Sequence, residues 1–242
     1  MDLDKLFEIT KLPKSTEQKL YIPKTAFYEH IKKYQEKMLL QDYVQSIYLL
    51  AVINSENTNL HIYENAKVYF NEILFIHIEM KTANNEDRIF KIISKTIPYP
   101  LVVIMSYDKY SYIYTGKYEK RKTNNISSAK IVNSYKSKRY SEDGLERLFG
   151  KINLGEFKKV YVKDVYEFIQ GVILSETINN KNTKPSNETQ IITAETKDKI
   201  DLLNKEINKY TRAVKNEDQI NKRIPLQMHL YKLKEELDKI IS

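Results

Sequence analysis

Apolar residues recur along this chain with two different periods, and the places where the period changes mark its elements. In "AFYEHIKKYQEKMLL", Phe27, Ile31, Tyr34 and Met38 fall at helical spacing with the lysines between them, which predicts an amphipathic helix. Thr25 stands just before it, placed as an N-cap that would accept from a first-turn amide. Residues 1–24, bracketed by Pro13 and Pro23, read as an irregular lead-in, because proline disfavours helix in the residue before it. The β-branched and aromatic run "YVQSIYLLAVIN", closed by the turn-rich "NSENTN", predicts a strand over about Ser46 to Ile53. A short "LHIY" and a turn at "ENAK" lead into "VYFNEILFIHIEMK". There both alternating sets are apolar, with Leu74, Ile76 and Ile78 on one side and Ile73 and Phe75 on the other. A strand of that kind belongs at the centre of a sheet covered on both faces.

Ile89, Ile92, Ile93 and Ile97 then mark a helix that Asn84 or Asn85 would cap, with Glu86 and Asp87 at the positive end of its dipole. Pro98 and Pro100 end it. "LVVIMSYD" is a second buried strand, and a turn at Asp108–Lys109 folds it back onto "YSYIYTGKY". The stretch "GKYEKRKTNNISSAKIVNSYKSKRY" reads as a loop with one more strand around Ile131 to Tyr135. "EDGLERLFGKIN" and "VKDVYEFIQGVIL" read as two short helices. The fold class is therefore α+β, a mixed α/β domain over residues 1–175 in which helices flank a central mixed sheet. Residues 176–196, containing "ETINNKNTKPSNETQ", are polar and read as a linker. Beyond it, Ile200, Leu203, Ile207, Tyr210 and Val214 recur at alternating threes and fours, as do Leu230, Leu233, Leu237 and Ile240. These stripes predict a C-terminal antiparallel helical hairpin over residues 197–242, with Pro225 at the first position of its second helix. Simple packing of the same helices on the α/β domain is the competing reading.

Composition narrows the classes. At 242 residues and 41% hydrophobic the chain can bury a substantial core, and the absence of cysteine excludes disulfides and thiolate metal sites. No apolar run approaches the ~20 residues that span a bilayer, so no membrane association is expected. The opening "MDLDKLFEITKLPKST" lacks the basic and apolar regions of a signal peptide, and the expected location is cytoplasmic. Formal net charge is +8. The segment from Lys109 to Arg139 holds nine Lys or Arg against the single acid Glu119, so it carries the whole excess. Lys117, Lys120, Arg121, Lys122, Lys136, Lys138 and Arg139 are the candidate nucleic-acid contacts, interleaved with Tyr110, Tyr112, Tyr114, Tyr118 and Tyr135. Cations neutralise phosphates and tyrosine rings stack on exposed bases. A solvated basic loop, or contact with an acidic protein surface, would use the same residues.

Catalytic chemistry has one candidate. Glu79 and Lys81 are two apart at the end of the central strand, the spacing at which PD-(D/E)xK nucleases hold Mg2+ or Mn2+ with acids and position water with a lysine. Glu79 would be the metal ligand, with Glu64 or Glu72 as second carboxylate. Glu72 has the opposite strand parity, Glu64 lies in a turn, and no Pro-Asp precedes the motif. Glu-x-Lys also begins at Glu17, Glu156 and Glu195, so solvation of a strand end explains this copy as well. The four histidines show no ligand spacing, five scattered glycines make no phosphate loop, and no other cofactor is expected.

"LPKST" with "IPKTAFYE", "IYLLAVINSENTNL", "EILFIHIEMK", "IPYPLVVIM" and the tail "LNKEINKYTRAVKNEDQINKRIPLQMHLYKLKEELDKI" together resemble the bacterial and archaeal domain-of-unknown-function family 4391. Leu49, where an aromatic follows "IY" in that pattern, and Pro225 depart from it. The resemblance implies a companion of helicases and DNA methyltransferases in restriction-like phage-defence clusters. It thus implies nucleic acid and a helicase or methyltransferase protein as partners. The hairpin would be the docking element, for that partner or for a second copy. A non-catalytic accessory subunit is the leading expectation, and the nuclease and a purely regulatory interaction module are the alternatives.

Overall fold

A computed structural model describes residues 2–123, 126–154, 160–178 and 191–241. The run that is apolar on both faces lies at the centre of the sheet. This strand, β5 (Glu72–Met80), pairs antiparallel with β2 (Val44–Asn54) and parallel with β6 (Leu101–Tyr107). With β1 (Glu17–Tyr21), β7 (Tyr110–Thr123) and β8 (Ile126–Lys136) they form a mixed sheet in the order β1-β2-β5-β6-β7-β8. β3 (Tyr63–Glu64) and β4 (Tyr69–Phe70) make a small separate pair.

Strand alternation sends Ile73 and Phe75 into a core with α1 (Leu3–Thr10), α5 (Glu142–Ile152) and α6 (Val162–Ile178). Ile76, Ile78 and Met80 pack on the other side with α2 (Thr25–Tyr28), α3 (Tyr34–Tyr43) and α4 (Glu86–Thr96). Parallel neighbours cannot be joined by a tight turn, and α4 supplies the crossover from β5 to β6. It buries Ile89, Ile92 and Ile93, as its spacing predicts.

Five expectations are corrected. The lead-in is ordered: Leu6, Phe7 and Ile9 of α1 are buried, and β1 pairs with β2 as an edge strand. Its alternation was hidden because edge strands tolerate polar residues. Thr25 caps nothing; α2 is a single turn, and the chain leaves helix before α3 begins at Tyr34. The basic stretch is a long β-hairpin whose register runs from Tyr114 opposite Lys136 to Thr123 opposite Ile126. The span read as a linker is helical at both ends, since α6 reaches Ile178 and α7 (Ala194–Asn216) begins at Ala194; residues 179–190 lie outside the described residues. Pro225 sits inside α8 (Ile220–Ile241) rather than at its start. The Asn221 carbonyl that it leaves without an amide partner is on an exposed first turn, where water can serve.

The predicted hairpin is present. Lys199 pairs with Glu236 at 2.9 Å and the Tyr210 ring lies 4.3 Å from that of His229, so α7 and α8 run antiparallel. Its first turn rests on the body, where Ile192 joins Tyr135 and Leu174 in a small apolar cluster. Asp198 accepts from the Tyr135 hydroxyl at 2.8 Å and from Asn133 at 2.7 Å.

One buried tyrosine fastens α6 to the sheet. On the β6 side the β7 ladder stops at the Tyr114–Val103 pair, short of Gly116 and Leu101. There the Tyr166 hydroxyl accepts from the Gly116 amide at 2.8 Å and lies 2.9 Å from the Gly116 carbonyl and 3.2 Å from that of Leu101. Gln170 donates to the same Gly116 carbonyl at 2.8 Å. A Cβ at Gly116 would meet Ile131 Cδ1 at 2.6 Å and Cγ1 at 2.9 Å, so any side chain here would displace Ile131. Replacing Tyr166 by Phe keeps the ring and strands a buried amide, which costs about 1–3 kcal/mol. Chemical denaturation of Tyr166→Phe should show that loss with an unchanged slope, and an unchanged midpoint would refute the role.

Candidate functional site

Glu79 and Lys81 lie at the C-terminal end of β5, and each has a local partner. Ser46, opposite Glu79 in the β2 register, donates to its carboxylate at 2.9 Å. Lys81 lies just past the end of β5, and its ammonium donates to the Gln41 carbonyl at 2.8 Å. The two candidate second carboxylates are elsewhere. Glu64 binds Lys120 at 2.5 Å and Ser127 at 2.9 Å. Glu72 is seven residues down the same strand, roughly 23 Å away at ~3.3 Å per residue, and pairs with Asn54. Burial pushes the Glu72 carboxyl above its ordinary value, against a hydrogen bond from Asn54.

A Mg2+ or Mn2+ centre needs converging oxygen ligands with more than one carboxylate. The position facing Glu79 carries a hydroxyl, and among the described residues no three His, Asp or Glu side chains gather. These residues do not fit a divalent-cation nuclease centre.

On the same face as Glu79 lies a buried polar chain. His77 Nε2 is 3.2 Å from Ser106 Oγ, which is 2.8 Å from Ser111 Oγ. The imidazole lies nearly parallel to Tyr48, and its Nδ1 is buried without a partner. Burial pushes its pKa down to about 4, so the ring is neutral.

The seven basic candidates do not form one surface. Lys117 meets Glu195 and Asp198 of α7 at 3.2 and 3.3 Å. Lys120 pairs with Glu64. Lys136 lies on the α4 side, 3.8 Å from both Glu86 and Asp87 and 4.1 Å from the centre of the Tyr112 ring. Lys138 pairs with Glu176 at 3.0 Å. Arg121 and Lys122 are exposed at the far end of the hairpin, and Arg139 lies 4.2 Å over the Tyr110 ring. Tyr114, Tyr118 and Tyr135 are buried, so they are core residues rather than stacking platforms. Strand alternation and the bulge between Lys117 and Tyr118 split the cations between faces, and six acids far away in sequence meet four of them. No local signal could show this. The fold also brings Arg147 and Lys151 of α5 beside Lys138 and Arg139 in one cleft, a grouping absent from the sequence reading.

These features define a three-layer α+β body with a central mixed sheet and a helical arm. The chain belongs to the family described as domain of unknown function (DUF4391), whose model matches residues 11–237. No curated protein and no solved structure matches it. Among the described residues no helix is long and apolar enough to cross a membrane.

His77 gives a pH test. Its folded pKa lies below the ordinary value of 6.5, so the unfolded chain binds the proton first. Stability is intact above about pH 6.5 and falls as pH drops toward 4, by up to roughly 3 kcal/mol. Urea denaturation of the wild type against His77→Gln from pH 7 to pH 4 should show that decline steepest in the wild type. Parallel curves would rule out His77 as its source.

Proposed function

We propose that this protein is a non-catalytic accessory subunit whose body contacts nucleic acid and whose helical arm docks a partner protein. A helicase or methyltransferase subunit of a restriction-like defence system is the partner expected from the family resemblance. One observation carries the docking reading. The seam between α7 and α8 uses Ile200, Leu203, Leu230, Leu233 and Leu237, at most partly exposed. A second stripe on α8, formed by Ile220, Ile224, Met228 and Tyr231, is 52–64% exposed. Residues spaced four, four and three apart fall on one side of a helix. Two apolar faces are more than a hairpin needs for itself, and an exposed apolar stripe on a helix suits insertion into a partner's groove.

Nucleic-acid contact is supported by the formal charge of +8 and by the exposed Arg121 and Lys122. Counterion release makes such contact fall steeply with salt.

Ile224→Lys with Met228→Lys tests the arm. Both sites are exposed, so the melting temperature should stay close to that of the wild type. In tagged pull-downs from the native host the wild type should retain a helicase or methyltransferase subunit that the double variant loses. Equal retention would overturn the docking reading. A concentration-dependent dimer of the wild type alone, seen by analytical ultracentrifugation, would replace the heterologous partner by a second copy.

A further inference from the structure

A cleft of about 320 Å³ opens between the segment Lys138–Ser141 and one face of α5, with Glu176 of α6 at its edge. Gly144, Arg147, Leu148 and Lys151 recur at helical spacing and present that face. Four cations line the space, Lys138, Arg139, Arg147 and Lys151, against one acid among the described lining residues. Glu176 is shared between two of them, with one carboxylate oxygen on Lys138 and the other on Lys151. Burial would raise this carboxyl, but the two ammonium groups outweigh that and hold it below its ordinary range, so it stays charged. A formal excess of three positive charges remains.

Local repulsion among four cations is unfavourable unless something offsets it. Glu176 offsets part of it and leaves the exposed Arg139 and Arg147 to a further anion. Tyr140 and Ser141 form part of the cleft wall. Tyr140 is buried, and its hydroxyl is a buried oxygen without a hydrogen-bond partner. Burial, and then the charge of Glu176, push the phenol up, so it keeps its proton. The Ser141 oxygen accepts from the Gly144 amide at 3.3 Å. Gly144 keeps the wall low here, since a Cβ would lie 3.3 Å from the Tyr140 ring and 3.4 Å from that oxygen. Nearby Glu142 is engaged with Lys5.

We propose that this cleft binds a phosphate group, carried by a nucleic-acid chain or by a free nucleotide. Arg139 and Arg147 supply planar forks that suit phosphate oxygens. Glu176 acts as the ligand's stand-in: it holds Lys138 and Lys151 in place and competes with an incoming phosphate for both. The site is independent of the helical arm, and with a nucleic acid as ligand it gives the nucleic-acid side of the proposed function a definite place.

Fluorescence anisotropy with a labelled 5′-phosphorylated 12-nucleotide single strand at low salt tests it. Arg147→Ala with Lys151→Ala should weaken binding about tenfold or more, as expected for lost charge-assisted contacts. Glu176→Gln should tighten binding several-fold, an effect that a merely structural role would not produce. Lys32→Ala with Lys33→Ala, exposed just before α3 and away from the cleft, should change it less than twofold. Equal weakening by both pairs, or weaker binding by a folded Glu176→Gln protein, would overturn the cleft while leaving nucleic-acid binding in place. The free-nucleotide arm uses thermal melting with ATP and with inorganic phosphate. Stabilisation of the wild type but not of Arg147→Ala with Lys151→Ala, without oligonucleotide binding, would keep the site and remove nucleic acid as its ligand. No response in either assay would remove the site altogether.

Discussion

The contact between Tyr166 and Gly116 is the constraint on which the arrangement of the second half of the chain rests. The β6–β7 ladder stops before Gly116, and buried backbone groups without partners are too costly to leave. One phenol and one carboxamide from α6 meet that need, and so fix α6 in both position and rotation against the sheet. Everything further along α6 inherits this placement. Leu174 lies under the start of α7, and Glu176 reaches Lys138 and Lys151.

The same placement decides how the charge is distributed. A basic segment looks like a patch only while it is taken as a loop. Folded into two long strands, its side chains alternate between faces, and the elements packed there bring Glu64, Glu86, Glu176 and Asp198 against them. Exposed ion pairs of this kind add little stability, a median of roughly 0–1 kcal/mol each. Their larger effect is to cancel field over most of the hairpin and leave positive excess in the cleft that Lys138 and Arg139 share with Arg147 and Lys151. Surplus charge and structural charge are thus separated by the packing of α6 and α7.

At the C-terminal end of β5, the register of β2 against β5 gives Glu79 a hydroxyl neighbour. A single carboxylate bonded to serine and a lysine bonded to a backbone carbonyl make a stable strand end. The adjacent His77 is kept neutral by the same burial that hides Ser106. Polar groups in this corner are mostly satisfied by one another. The cleft beside α5 differs, because there, among the described residues, the exposed guanidinium groups of Arg139 and Arg147 meet no acid.

Local pattern by itself determined the central strand, α4, the turn at Asp108–Lys109 and the seam of the helical arm. In each, the period of apolar residues follows directly from which side is buried. It also showed that Glu-x-Lys at Glu79 ends a core strand. The edge strand β1 and the basic hairpin were hidden, since strands open to solvent on one side carry lysines and glutamines without penalty. Only the tertiary structure decided which acid meets which lysine, that Ser46 faces Glu79, and that Arg147 and Lys151 share a cleft with Lys138 and Arg139. Those pairings join residues distant in sequence, and electrostatics acts through space, so no local period records them.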